Sequence, residues 1–295
     1  MQSDHLLPAI QLVLEDTFHL SGWIIARAEG GQQKACYIAR TAQRAAFLKF
    51  DENAPVAILG RLGELGVAPR LIRAGDIAGR TYILQECVVG AHPSWRWFAA
   101  HLPLLARVTR AYHQDHELQR LLLTTAAPLT YEAHLAAELD MLALQVSGLV
   151  PLLPQALADT LRGLLAELRA QAGLLSAVSL APTHPAPNGA NIFISPDDTT
   201  MTLVDWDGVQ FSDPLRDASQ WLGWYVPSGQ WAIFFAEQGL QMDETTLTRV
   251  YWWSARASFA NALWRLKAGY DYAVFLNDTR ASLSRAIVPH QVFSE

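Results

Sequence analysis

The strongest constraint on this chain's fold is a change of hydrophobic period near residues 86–92. Upstream of it the residues read mostly as strand. The stretches TFHLSGWIIARAE and KACYIARTAQRAAFLKF are rich in aromatic and β-branched residues, with Gly30-Gly31 between them as a turn signal. APVAILGRLGELGV predicts a short helix ending near Gly66, and LIRAGDIAGRTYILQECVVG predicts a hairpin turning at DIAG, with its second strand over 81–87. Downstream the period becomes helical. Leu135, Leu139, Leu142 and Val146 share one helix face, as do Leu157, Leu161, Leu164 and Leu168. Residues 243–287 continue the helical pattern with many Trp and Tyr. The pattern predicts an α+β chain: a small, strand-rich part over 1–88 and a larger, mainly helical part over 89–295.

Composition narrows what such a fold can do. At 295 residues the chain is long enough for two parts with substantial cores. Hydrophobic residues at 51% and charged residues at 17% describe a globular chain, not a disordered one. A net charge of −6 argues against a nucleic-acid surface, which needs clustered Lys and Arg. No run of about 18 apolar residues occurs, so neither a transmembrane helix nor a membrane partner is expected. The start, MQSDHLLPAIQLVLED, is acidic and lacks the basic leader of a signal peptide. Cys36 and Cys87 are too few for a disulfide framework or a structural zinc site, and both lie in apolar, strand-like runs. A reduced, soluble, cytoplasmic protein is the expectation.

Three sets of residues could carry chemistry. Lys49 ends an apolar run, where a lysine is ordinarily an edge residue with its stem on apolar surface. Upstream, EGGQQKACYIAR lies where a hairpin loop could cover phosphates, and a lysine on the following strand could neutralise them. Against G-x-G-x-x-G only Gly31 stands at a glycine position, with Glu29 and Lys34 at the others, so the loop is a weak phosphate motif by itself. Asn191 and Asp205, fourteen residues apart, form the second set. NIFISPDDTTMTLVDW predicts a hairpin: apolar IFI, a turn over 195–200, then MTLV ending at Asp205. It could bring together two oxygen ligands for magnesium bound with a nucleotide. Separately, Asn191 and Asp205 are ordinary turn residues; beside Lys49 they make a phosphate and metal set. In the third, Asp213-Pro214 signals a helix start, with Asp213 as N-cap and Pro214 at the first helical position. Asp217, on the opening turn, reads as a brace for the loop that holds Asp205.

HPAPNGAN, followed by VDWDG and DPLRD, resembles the catalytic loop and metal-binding segment of the aminoglycoside phosphotransferase and choline kinase family. That family shows H-G-D-x-x-x-x-N, a hydrophobic-D-W/F-E/D segment and D-P-x-x-D. AEGGQQKACYIARTAQRAAFLKF and GRTYILQECVVG resemble the small lobe of the wider protein-kinase-like fold, and the likeness runs over about 15–225. The resemblance implies a two-lobed protein-kinase-like fold with an antiparallel sheet in its small lobe. It implies that the protein binds ATP and Mg2+ and phosphorylates a hydroxyl of a small-molecule acceptor. Carried onto this sequence, it gives Lys49 and the loop of Gly31 to the phosphates, and Asn191 and Asp205 to magnesium. Glu86-Cys87-Val88 would be the hinge, with the nucleotide contacts at Glu86 and Val88 made by backbone groups. His184 would orient the loop backbone.

Two departures stand out. The position of the family's catalytic Asp is Ala186, and no other carboxylate lies between Glu167 and Asp197. Pro185 and Pro187 stiffen the same loop. The helix Glu that pairs with the strand Lys also lacks a clear counterpart, so Glu52 or Glu64 would have to serve. A general base contributes typically about 10²–10⁴-fold, whereas phosphoryl transfer depends mainly on positioning and on stabilisation by metal and lysine. Ala186 therefore predicts a severe loss of rate with nucleotide binding kept. The alanine is either native, giving a non-catalytic nucleotide-binding regulator, or an inactivating substitution introduced into a working kinase. The acceptor is expected in the helical part. There Trp252, Trp253, Trp264 and Tyr270 could hold a cationic amine by their faces, although their spacing suits helix packing better.

Overall fold

The computed structural model of the chain describes residues 6–28, 34–125 and 129–287. It separates into two compact units. Residues up to Ala91 together with Asn191–Val209 form the first, and His92–Ala190 with the residues from Gln210 onward form the second.

The first unit opens with a helix that the strand-rich expectation did not include, α1 (Leu7–Phe18). Leu6, Ile10 and Leu14 recur every four residues and are buried. Pro8 falls in the first turn, where a missing N–H is harmless, and His19 ends the helix in the left-handed region at φ 53°. Strand structure begins only at β1 (Ile24–Arg27). The next stretch makes two strands, β2 (Cys36–Arg40) and β3 (Ala45–Phe50), because the Thr41 N–H closes a tight turn onto the Arg44 carbonyl at 2.8 Å. The short helix α2 (Val56–Glu64) follows the expectation. So does the hairpin of β4 (Leu71–Ile77) and β5 (Arg80–Glu86), which turns at Ala78-Gly79 with φ 54° and 78°.

These five strands form one antiparallel sheet in the order β1-β2-β3-β5-β4. Ala46, Leu48 and Phe50 of β3 enter a core with Tyr37, Leu84, Ile10 and Leu14. Alternation along the strand therefore turns Lys49 to the other face, in register with Cys36 on β2 and Ile83 on β5.

The second unit is helical. It contains α3 (Trp95–Ala100), α4 (Leu102–His113), α5 (His116–Leu123), α6 (Tyr131–Leu149) and α7 (Gln155–Ala172), then β6 (Ala181–Thr183). The leucines predicted to share a face on α6 and α7 are buried, apart from half-buried Leu157. The chain returns to the first unit as the hairpin of β7 (Ile192–Ile194) and β8 (Met201–Leu203). It re-enters the second through β9 (Gln210–Ser212), which pairs with β6.

The unit closes with α8 (Leu215–Tyr225), α9 (Trp231–Gln238), α10 (Glu244–Ala268) and α11 (Ala273–Leu283). α8 starts one residue later than the Asp213-Pro214 signal predicts. The Asp213 carboxylate still accepts from the Leu215 N–H at 2.8 Å. α10 packs against α6, α7, α8 and α11 and buries Trp252 and Trp253, while Trp264 and Tyr270 stay exposed. The segment Tyr131–Leu152 is long and apolar enough to cross a membrane by length and composition alone, although Glu132, His134, Glu138 and Asp140 interrupt its apolar residues. In this fold it packs against α7 and α10 and buries His134 and Glu138 among polar partners.

Candidate functional site

Burial obliges Lys49 to find charge partners, because an ammonium removed from water is costly unless paired. Lys49 is 8% exposed. Its Nζ lies 2.7 Å from Asp205 Oδ1, 2.9 Å from Glu52 Oε2 and 3.2 Å from Asp207 Oδ2. Lys34 pairs with Asp207 and stands 4.0 Å from Glu52 Oε1, so two lysines share three carboxylates. Burial acts to lower the Lys49 ammonium pKa, but Asp205 and Asp207 outweigh it and the net shift is upward. Burial likewise acts to raise Asp207, while Lys34, the Asn53 N–H and Lys49 bring it below the ordinary carboxylate range. Both groups are charged at neutral pH. Of the two glutamates, Glu52 is the one on Lys49; Glu64 pairs with Arg61 instead.

Asn191 and Asp205 are brought together by the predicted hairpin. Ile192 pairs with Leu203, Phe193 with Thr202 and Ile194 with Met201, and the Val204 N–H extends the ladder to the Asn191 carbonyl at 2.9 Å. Antiparallel register thus sets Asn191 and Asp205 at one end of the hairpin. The turn over 195–200 closes the other, with the Ser195 N–H on the Thr200 carbonyl at 3.1 Å. Asp205 has φ 65°, a left-handed conformation that costs a non-glycine residue on the order of 1–3 kcal/mol and persists only where its surroundings fix it. Lys49 fixes the side chain, and the neighbouring Trp206 indole anchors on the Leu203 carbonyl at 3.0 Å. The Asp205 side chain remains 54% exposed, open to a ligand while it holds Lys49. Among the described residues no group of three or more His, Cys, Asp or Glu is arranged to hold a metal unaided. An amide oxygen and a carboxylate do suit a magnesium ion that keeps water and phosphate oxygens as its other ligands.

In the second unit the loop after β6 is braced by buried groups. His184 is fully buried; its N–H donates to Asp217 Oδ2 at 3.1 Å, and its Nδ1 accepts from the Ala186 N–H at 3.1 Å. Asp217 Oδ2 also accepts from the Tyr112 hydroxyl at 2.6 Å and lies 3.1 Å from His113 Nε2. Asp217 therefore braces the His184 loop, not the Asp205 segment as expected. The Trp221 indole donates to the Pro187 carbonyl, and Arg216 Nη1 to the His184 carbonyl at 3.1 Å. None of these groups supplies a base at position 186. His184 Nδ1 is engaged by backbone, Asp217 is fully buried, and burial pushes Tyr225, beside Gly189, up to about 12.

The expected hinge residues Glu86 and Val88, with Cys87, line a cleft of about 380 Å³ whose other lining includes Gly63, Gly66 and Pro69. Lys49 and Asp205 do not line it. The Glu86 carboxylate is bound by Arg70 Nε at 3.0 Å. Gly31 lies outside the described residues.

No family model matches the sequence. Solved structures do resemble the chain. One is a thermostable mutant of aminoglycoside phosphotransferase APH(4)-Ia with an Asp-to-Ala change, in ternary complex with ADP and hygromycin B. It matches 94% of this chain and 98% of its own at a TM-score of 0.68 and 16% identity. Choline kinase LicA from Streptococcus pneumoniae matches 96% of this chain and 100% of its own, with a TM-score of 0.65 and 15% identity. The GDP complex of wild-type aminoglycoside 2'-phosphotransferase-IIIa matches 96% and 99%, with a TM-score of 0.66 and 15% identity. The chain has the protein-kinase-like fold. The resemblance carried by HPAPNGAN, VDWDG and DPLRD is thus matched by fold over most of the chain, and the expected α+β fold class, an antiparallel sheet with a larger helical part, stands. The division differs from 1–88 and 89–295 in that Asn191–Val209 belong to the first unit.

Some members of the site were not singled out from sequence. Lys34 occupies a failed glycine position, and Asp207 follows Asp205 by two residues in VDWDG, where its acid could have been noted. Arg249, which binds Asp213 through Nε at 2.8 Å, gave no signal, because it lies in a helix without one clear apolar face.

Proposed function

We propose that the chain is an ATP-dependent phosphotransferase of a small-molecule hydroxyl whose base position is held by Ala186, so that it binds nucleotide with magnesium but turns over poorly. The observation that carries this reading is the buried Lys49 ammonium on Asp205, at the end of the hairpin that also bears Asn191. Lys49, steadied by Glu52, would neutralise nucleotide phosphates. Asn191 and Asp205 would hold magnesium, with Asp207 beside them. The ion would supply charge neutralisation on the phosphate oxygens. Glu86 and Val88 would offer backbone groups to adenine. On this reading 1–88 form the nucleotide-binding lobe, 89–295 form the helical lobe with the catalytic loop and the acceptor site, and the protein works as a soluble cytoplasmic enzyme.

His184 and Asp217 fix the backbone of the loop, so an acceptor hydroxyl would meet a rigid loop with a methyl group where a carboxylate is needed. The similar APH(4)-Ia mutant, which carries an Asp-to-Ala change, holds ADP and hygromycin B together. A second reading, a non-catalytic nucleotide-binding regulator, is favoured by Ala186 and by the lack of a substitute base among the described loop contacts.

Calorimetric titration with ATP, with and without magnesium, tests both readings. Magnesium-dependent binding is expected, and its absence would remove the kinase and the regulator together. Turnover of hydroxyl acceptors by Ala186→Asp, rising by about 10²-fold or more, separates them. Binding with no gain in turnover would leave the regulator.

A further inference from the structure

The approach to β2 brings a second lysine to the Lys49 cluster. Cys36 on β2 stands in register with Lys49 on β3, and the Phe50 N–H donates to the Ala35 carbonyl at 3.0 Å, so the pairing runs on beyond the end of β2. Alternation along this extended chain turns Lys34 to the face of Cys36 and Lys49. There its ammonium pairs with Asp207 and lies 4.0 Å from Glu52 Oε1, with 18% of the side chain exposed. In the weak G-x-G-x-x-G match Lys34 holds the last glycine position. A glycine there offers phosphates only backbone N–H groups; a lysine adds a full charge.

That charge decides which acids stay open to a metal ion. Asp207 is fully engaged: Oδ1 accepts the Asn53 N–H at 2.9 Å, and Oδ2 accepts from Lys34 and, at 3.2 Å, from Lys49. Glu52 is engaged as well. Its Oε1 accepts the Asn53 and Ala54 N–H groups, its Oε2 lies 2.9 Å from Lys49 Nζ, and its side chain is 4% exposed. Asp205 differs from both, since Lys49 meets its Oδ1 while 54% of the side chain faces solvent. Two ammoniums, Lys34 and Lys49, thus face three carboxylates, Glu52, Asp205 and Asp207, which leaves an excess of one negative charge. One divalent ion shared with nucleotide phosphates suits that excess. A second would have to take Asp207 from Lys34 or sit against its ammonium, where like charges repel.

We propose that Lys34 is a built-in counter-cation of the nucleotide site: it holds Asp207, takes the place of a second divalent ion, and so limits nucleotide binding to a single magnesium ion on Asp205 and Asn191. This rests on the phosphotransferase reading for the nucleotide and the first ion, while exclusion of a second ion rests on Lys34 and Asp207 themselves.

The test counts bound Mn2+, used in place of magnesium, by electron paramagnetic resonance on the full chain saturated with a non-hydrolysable ATP analogue. One ion per nucleotide is expected in the parent and in Lys34→Arg, which keeps the charge. Lys34→Ala should bind two, because Asp207 is released, and adding Asp207→Asn to it should return the count to one. Where Lys34→Ala does not fold, Lys34→Gln, uncharged and of similar length, gives the same count. Calorimetry supplies a second reading. Lys34→Ala should lose about tenfold of its nucleotide affinity at low magnesium, the scale of one charge-assisted contact, and regain most of it in excess magnesium. A lysine that only ties its loop to Asp207 would lower affinity equally at both magnesium levels and leave the ion count at one. Two ions in the parent, an unchanged count in Lys34→Ala, or a loss indifferent to magnesium each overturns the proposal and leaves the phosphotransferase reading intact. No nucleotide binding at any magnesium concentration ends that reading, and this inference with it.

Discussion

Lys49 takes its glutamate from its own strand connection, and the local backbone explains how. Asp51, at φ 56°, reverses the chain just after β3, and the Glu52 Oε1 atom accepts the N–H groups of Asn53 at 3.0 Å and Ala54 at 3.2 Å. The carboxylate is clamped by its own turn while Oε2 holds the lysine. The pair is therefore a property of the connection between β3 and α2. Glu64, the acid carried by α2, points to Arg61. Charge-assisted hydrogen bonds of this kind are worth about 1.5–3 kcal/mol. Glu52→Gln should accordingly weaken nucleotide binding with magnesium by roughly tenfold or more in calorimetry, and Glu64→Gln should leave it unchanged. Equal losses in the two variants would return the role to α2. Sequence could name both glutamates but not choose between them, since the choice depends on a positive φ at an aspartate, which no local pattern announces.

At the level of elements, α8 and α10 approach closely at Gly223. A Cβ there would stand 2.5 Å from Ser254 Oγ and 3.0 Å from Ser254 Cβ, and that hydroxyl is already committed to the Ser219 carbonyl at 2.6 Å. Gly223→Ala should destabilise the protein by about 1–3 kcal/mol through overpacking, read as a lower urea midpoint at unchanged slope. Gly163, on α7 with nothing within 4 Å of its added Cβ, gives the opposite case. Gly163→Ala should stabilise by about 0.4–1 kcal/mol by restricting the unfolded chain. A shift of the same sign in both would refute the packing argument. The contrast also marks how far elements are legible. α6, α7 and the β7–β8 hairpin have one clean period each, so the sequence predicts them. α1 escapes because the aromatic stretch from residue 17 onward dominates its neighbourhood, although Leu6, Ile10 and Leu14 carry its spacing. α10 buries residues around much of its circumference, Arg249 and Arg256 among them, and such a helix has no face for a pattern to reveal.

At the scale of the molecule, its buried charges should dominate the response to acid. Burial acts to raise Asp213, but Arg249, the Leu215 N–H and Tyr131 outweigh it and hold the carboxyl below the ordinary range. Glu138 is likewise raised by burial and brought down further by Arg256, Arg216 and His134. Unfolded carboxylates titrate near about pH 4, so on acidification the unfolded chain takes up these protons first. Stability from both groups is complete above that value and is lost as pH falls through the native ones. His134 acts earlier. Burial lowers its imidazole below 6.5, so the unfolded chain binds the extra proton there and stability begins to decline below about pH 6.5. The thermal midpoint should therefore fall gently from there and steeply below about pH 4. Arg249→Met probes the steep part. It strips the counter-charge from a fully buried carboxylate, a loss of about 3–5 kcal/mol near neutrality. With Arg249 gone, only the Leu215 N–H and the Tyr131 hydroxyl oppose burial, so the Asp213 carboxyl should titrate higher than in the parent. As pH falls through that raised value the variant regains stability relative to the parent, so the gap between their urea midpoints should narrow from pH 7 to pH 4. A gap constant across that range would mean that Arg249 contributes by packing its stem and not by its charge.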